Sequence, residues 1–299
     1  MKLTFKLTLA LALVVSLTFS GCGSKDDTNS GGGEQTSSGQ TIQVEGSDTM
    51  VNLAQAWSEK YQQDNSNITI EVSGGGSGVG ISSLIQGLAD MANASRKMKD
   101  KEKARAESES GVAPAEYVVG QDALAVYVHK DNPLEEITLA QLEAIYADGG
   151  KISKWSELGI TIPGGADEIV RVSRQNNSGT YAYFREAVLQ DNDFKLGSID
   201  LSGSSDVVSM VEKTASAIGY SGMGYATDNV KMLKIKKTDD ADAVAPKADN
   251  VINGTYPIAR PLLIYTSGEP TGELKTYLEW IMGENGQAIV SEMGYVPVK

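Results

Sequence analysis

From Thr41 onward the apolar residues switch repeatedly between two periods, and that switching limits the possible folds more than any other feature of the chain. Ile42 and Val44 mark a short strand. Met50, Leu53, Ala54, Trp57 and Tyr61 then recur at the spacing of one buried helical face, and Ile68, Ile70 and Val72 return to period two. A loop at 73–78, a helix through Leu84, Ile85 and Leu88, and a strand at 90–94 complete a β-α-β-α-β run, the signature of an α/β fold. The charged stretch 99–110 reads as a solvated helical face. Beyond it, strands are expected at 117–119, 123–128, 169–172, 217–220 and 257–265. Helices are expected at 138–146, after Ser178, at 207–213, and across 273–292 with a break near Gly283. No repeat of solenoid period is visible.

A chain of 299 residues, 40% hydrophobic, has room for one large domain or two lobes. Lys and Arg total 26 against 39 Asp and Glu, a formal charge of −13 that argues against a nucleic-acid partner. One cysteine and one histidine exclude Cys/His zinc sites, disulfide frameworks and clustered imidazole chemistry, and no metal or cofactor is expected. His129, beside Lys130 at a strand end, reads as a turn residue. At the N-terminus, Lys2 and Lys6 precede an apolar run over 7–19 that suits a signal-peptide core and is too short to span a bilayer. It ends at Phe19-Ser20-Gly21-Cys22, which resembles a bacterial lipobox. Residues 1–21 are therefore expected to be a lipoprotein signal peptide and Cys22 the lipidated residue. Residues 22–40 carry almost no large apolar side chain and read as a flexible tether. Removing 1–21 deletes two lysines and no acid, which takes the formal charge from −13 to −15.

Three strand-to-helix junctions share one chemistry: Gly46-Ser47-Asp48-Thr49, Gly74-Gly75-Gly76-Ser77-Gly78, and Arg174-Gln175-Asn176-Asn177-Ser178-Gly179-Thr180. Each places free backbone N–H groups, hydroxyls and the positive end of a helix dipole at the carboxyl edge of a sheet. Any one of them could simply be a cap or a tight turn. Jointly they describe an anion cradle, because Arg174 offers a planar fork to a tetrahedral oxyanion. Arg96, at the end of another strand, is a second candidate cation or else a surface ion-pair partner. The chain contains no GxxxxGK[ST], GxGxxG, GxSxG or SxxK, so nucleotide-loop and hydrolase readings lack their motifs.

These junctions, together with Asn93-Ala94-Ser95-Arg96, Ala217-Ile218-Gly219-Tyr220 and Tyr256-Pro257-Ile258-Ala259-Arg260-Pro261, resemble the phosphate-binding PstS proteins of bacterial ABC importers. The resemblance runs from about Thr41 to the C-terminus, and arginine followed by Ser-Gly-Thr is its most specific element. It implies a two-lobed periplasmic-binding-protein fold of the second type, crossed twice by the chain, with phosphate sealed between the lobes. The crossings map near 124–129 and 258–264. Lobe I would then comprise 41–124 plus 260–299, and lobe II 125–259. Phosphate contacts carry over to Thr49, the Met50 amide, Ser77, Arg174, Ser178, Gly179 and Thr180. The neighbouring Ser47, Asp48, Gly78 and Arg96 complete the candidate set.

The chain departs from the pattern twice. Where some members hold a proton-accepting aspartate it has Arg96, and where members commonly hold an acid that orients the arginine it has Asn176. Near neutral pH phosphate carries a proton and sulfate does not, so an acceptor in the site rewards phosphate, and polar mismatch of this kind discriminates by about 10⁴ or more. Asp48 is the candidate acceptor, with a plain helix cap as the other reading of the same residue. The function expected is non-enzymatic capture of phosphate by a monomeric, membrane-anchored protein and delivery to permease subunits. A site for sulfate, molybdate or tungstate, a secreted phosphoesterase and a purely structural lipoprotein are the rivals.

Overall fold

The computed structural model describes residues 40–298. The expected signal peptide, Cys22 and all of the tether except Gln40 lie outside the described residues. The first half of the chain runs β1 Gln40–Gly46, α1 Val51–Asp64, β2 Ile68–Gly75, α2 Ser77–Ile85, β3 Met91–Ala94, α3 Asp100–Ser110 and β4 Ala115–His129. It continues with β5 Glu136–Thr138, α4 Leu139–Tyr146, β6 Val170–Arg174, α5 Gly179–Ala187, β7 Ile199–Leu201, α6 Ser204–Lys213 and β8 Ala217–Gly222. The last stretch is β9 Val230–Met232, β10 Lys234–Lys236, α7 Ala248–Ile252, β11 Ala259–Thr266, α8 Gly272–Met282 and α9 Glu284–Glu292.

Eight strands lie in the order β2-β1-β3-β11-β4-β8-β6-β7, with β9 also on β4, and a separate two-stranded sheet joins β10 to β5. The β1–β2 and β1–β3 pairs are parallel, as the helical crossovers α1 and α2 require, and so are β6–β8 and β6–β7. Antiparallel β4 and β11 stand between these two parallel halves. Over 115–123, β4 pairs with β11, and from Leu124 onward it pairs with β8. The chain thus leaves one lobe through β4 and returns to it through β11, which gives the two-lobed α/β periplasmic-binding-protein fold.

Each lobe has its own core. In the first, α1, α8 and α9 pack Leu53, Trp57, Tyr277, Ile281 and Val290 on one sheet face, while Ile81, Leu84, Ala94 and Leu263 fill the other. In the second, Trp155, Ile145, Phe184 and Tyr220 form one cluster, and Val172, Val207, Val211 and Ala217 form another. A sheet covered on both faces needs near-continuous apolar strands, and Leu124–Val128 is fully buried throughout.

Some expectations need correction. Residues 117–119 and 123–128 form parts of one strand rather than two, because Gly120-Gln121-Asp122 breaks the apolar pattern without breaking the pairing. The supposed loop at 73–78 is strand as far as Gly75 and helix from Ser77. The three-residue strands β5, β7, β9 and β10 and the short α7 were not expected.

Candidate functional site

The three junctions meet. Gly46 ends β1, and the turn that follows gives the Met50 amide to the Ser47 carbonyl at 2.8 Å, so α1 begins at Val51. Gly76, at φ 92°, swings the chain out of β2 into α2. Ser178 caps α5, its Oγ accepting the Thr180 and Tyr181 amides at 3.1 and 3.4 Å. A hydroxyl that accepts from its own helix keeps its proton for another acceptor, so capping and ligand donation are compatible at Ser178.

Between the lobes the hydroxyls touch. Thr49 Oγ1 lies 2.9 Å from Thr180 Oγ1. Ser77 Oγ accepts the Ser95 amide at 3.0 Å and stands 3.4 Å from Ser95 Oγ, to which the Ser47 hydroxyl donates at 2.9 Å. All five side chains are buried. The helix starts of α2 and α5 approach so closely that a Cβ on Gly179 would stand 2.2 Å from Ser77 Oγ and 2.6 Å from Ser95 Oγ. Asn177 stitches the same seam: its carbonyl accepts the Gly78 amide at 3.0 Å and its side-chain amide donates to the Gly75 carbonyl at 2.9 Å.

Arg174, at the end of β6, is fully buried. It donates to Ser204 Oγ at 2.9 Å, to the Ser202 carbonyl, and to Asp48 Oδ2 at 3.2 Å, while its Nε has no protein partner. Burial lowers its pKa and the Asp48 carboxylate opposes that shift, so the group stays cationic. Asp48 also accepts the Gly75 amide at 3.1 Å. It makes no cap on α1 and instead ties the first lobe's loops to the second lobe's arginine. The Asp48 carbonyl accepts from the Tyr225 hydroxyl at 2.7 Å, and burial pushes the pKa of that phenol up to about 12, keeping it a donor.

Some candidate residues are used differently from expectation. Both terminal nitrogens of Arg96 are committed to Glu102 at 2.8 Å, and one also donates to the Lys97 carbonyl, so the ion-pair reading describes its fork. The amides of Met50 and Gly78 donate to the Ser47 and Asn177 carbonyls, as the turn and the seam require, and the Ser47 hydroxyl is turned onto Ser95.

Sequence reasoning assigned no role to Asp122 and Arg260, which form a fully buried ion pair beneath these hydroxyls. Arg260 Nε and Nη2 donate to Asp122 Oδ2 at 3.0 and 2.8 Å, and Nη1 donates to Thr180 Oγ1 at 3.1 Å. Burial pushes the Asp122 carboxyl upward, while the arginine's charge and hydrogen bonds and the Met223 amide pull it back. The signal in the sequence is one acid and one base, each immediately beside a run of apolar residues, Ala123–Val128 after Asp122 and Leu262–Tyr265 after Arg260-Pro261. Ser95, Asn177 and Tyr225 carried no such signal.

The comparisons with known proteins agree with this architecture. Residues 31–285 match the model of the PBP superfamily domain. The chain is 36% identical over 263 residues to the phosphate-binding protein PstS of Pseudomonas aeruginosa, covering 85% of this chain and 81% of that protein. It is 33% identical over 301 residues to the PstS of Bacillus subtilis, covering 99% and 94%. Among solved structures it resembles a candidate phosphate ABC-transporter substrate-binding protein of Clostridium perfringens with bound phosphate, at TM-score 0.77 and 30% identity over 87% of this chain and 100% of that one.

Proposed function

The chain belongs to the PstS family of phosphate-binding proteins, and on that premise we propose that it captures inorganic phosphate between its two lobes and passes it to an ABC importer. The observation that carries the reading is the meeting of α5, headed by Ser178-Gly179-Thr180 and preceded by buried Arg174, with Thr49 and Ser77 of the facing lobe. Helix-start amides, four hydroxyls and a guanidinium with a free Nε form a donor-rich cradle, the complement of a tetrahedral oxyanion. Micromolar capture needs about −8 kcal/mol, and charge-assisted hydrogen bonds of ~1.5–3 kcal/mol each supply it after desolvation costs. No covalent step is required of these residues.

The phosphate ligands in this reading are Thr49, Ser77, Arg174, Ser178, Gly179 and Thr180. Asp48 orients Arg174 and accepts the phosphate proton through lone pairs that its two present donors leave open. The lobes divide near Leu124 and Arg260, and closure bends the chain at these two crossings. Cys22 is the lipid anchor that keeps a monomeric protein at the membrane surface, as the lipobox-like sequence supports. No helix among the described residues is long and apolar enough to cross a membrane.

The deciding experiment is titration calorimetry against phosphate, arsenate, sulfate, molybdate and tungstate at one pH. Phosphate is expected to bind in the micromolar range with sulfate rejected. Preference for another anion would overturn the reading. Mass spectrometry of the membrane-extracted protein, looking for a diacylglyceryl group on Cys22, tests the anchor.

A further inference from the structure

The buried pair Asp122–Arg260 has a position that structural stability alone does not explain. The two residues are direct partners in the β11–β4 ladder, one residue from the point where β4 exchanges β11 for β8. The pair therefore sits on both crossing strands at once, between the lobes, with both side chains fully buried. Buried ion pairs can often be replaced by apolar side chains with no loss of stability, so a pair retained at a crossing calls for a positional reason.

The proton count supplies that reason. Arginine has five N–H donors and no acceptor. Arg260 commits Nε and one Nη2 hydrogen to Asp122 Oδ2, which fixes the plane of the guanidinium. The outer edge then points at one hydroxyl from each lobe: Nη1 to Thr180 Oγ1 at 3.1 Å and Nη2 to Thr49 Oγ1 at 3.4 Å, with the Ser95 carbonyl also 3.4 Å from Nη1. The Tyr183 ring of α5, 5.7 Å from the guanidinium carbon, backs the group from the second lobe. Both threonine oxygens thus accept from Arg260, and neither can return a proton to it. One of their two protons is spent in the 2.9 Å contact between them. The other must go to a third acceptor.

We propose that the Asp122–Arg260 pair is a positioning element that turns the linked Thr49–Thr180 hydroxyl pair into a donor, through its one remaining proton, toward the bound anion and so couples ligand capture to lobe closure. This rests on the phosphate reading above. The pair brings donors into the cleft floor while remaining neutral overall, so the ordering of the hydroxyls, rather than added charge, is its contribution. Both lobes must be in place for Arg260 to reach both threonines, which makes the arrangement specific to the closed form.

Arg260→Lys tests it, because lysine keeps the charge but replaces the planar fork, whose three nitrogens reach Asp122 and the two hydroxyls separately, with a single nitrogen that cannot reproduce that spread. In titrations of the whole chain with inorganic phosphate, Arg260→Lys is expected to weaken binding by about 10- to 100-fold, the worth of one or two hydrogen bonds. In a Thr180→Val background the same substitution should cost at least about threefold less, because part of what Arg260 orients is already gone. A merely structural role would lower the melting temperature without that coupling. If Arg260→Lys fails to fold, Asp122→Asn, which keeps the shape and frees the guanidinium, should show the same loss and the same coupling. Parental affinity in a folded variant, or an undiminished loss in the Thr180→Val background, would overturn the proposal while leaving the phosphate reading intact. A parent chain that binds no phosphate removes the reading and the proposal with it.

Discussion

Asp48 shows how far a single residue's role can be read from sequence. Its place before a helix suggests a cap, and its place in a cradle loop suggests a proton acceptor. In the structure it caps nothing and spans two loops, holding the Gly75 amide with one oxygen and Arg174 with the other. It therefore supplies the arginine-orienting carboxylate that Asn176 cannot, from the opposite lobe. Orientation and proton acceptance are separable by experiment. If Asp48 only orients Arg174, Asp48→Asn weakens phosphate and sulfate by the same factor. If it also accepts the phosphate proton, phosphate falls by about tenfold or more beyond any loss it shares with sulfate, because only phosphate brings a proton to that carboxylate. The second outcome is expected, and parallel titrations with the two anions distinguish them.

At the scale of elements, the alternation of periods made most of the fold legible. The long helices and the buried strands of both lobes fall largely where period and apolar content placed them, but α2 ends at Ile85 and leaves Leu88, expected within that helix, exposed. What escaped was short or polar. Three-residue strands such as β5 and β9 are too brief to show a period, and their pairing is decided by neighbours distant in sequence. The misread break in β4 is more instructive: Gly120-Gln121-Asp122 interrupts the apolar run between 117–119 and 123–128, and Asp122 is the charged member of that interruption. It is there because Arg260 faces it on β11. The α5 junction was legible as chemistry, yet its tolerance for size depends on the facing lobe. Gly179 has ordinary helical geometry, so alanine there leaves the helix sound. Its methyl group, however, would stand within 2.2 Å of Ser77 Oγ and prop the junction apart. Gly179→Ala is thus expected to melt within a few degrees of the parent without ligand and to bind phosphate about 10- to 100-fold more weakly, the usual cost of overpacking. A variant that binds as tightly as the parent would show that the two helix starts do not close on the ligand as a unit.

For the whole molecule, the open question is how a chain of formal charge −13 binds an anion at all. Its long-range field repels phosphate, and at physiological salt that field is screened beyond about 8 Å. The cradle works at shorter range. Arg174 is fully buried, the hydroxyls are shielded between lobes, and the Asp122–Arg260 pair carries no net charge. Affinity set by such groups is insulated from bulk ions, whereas the approach of the ligand is not. Raising sodium chloride from about 0.05 to 0.5 M should therefore speed association, by screening the repulsion, while changing the equilibrium affinity by less than about threefold. Stopped-flow kinetics and calorimetry on the same samples separate the two quantities. A fall in affinity of tenfold or more across that range would mean that exposed cations, such as Lys97 and Lys99, carry the binding. Insensitivity of both rate and affinity would mean that the acidic surface lies too far from the cleft mouth to affect capture. The expected combination, faster association at nearly constant affinity, follows only if the repulsive charge lies outside and the attractive groups are sealed within.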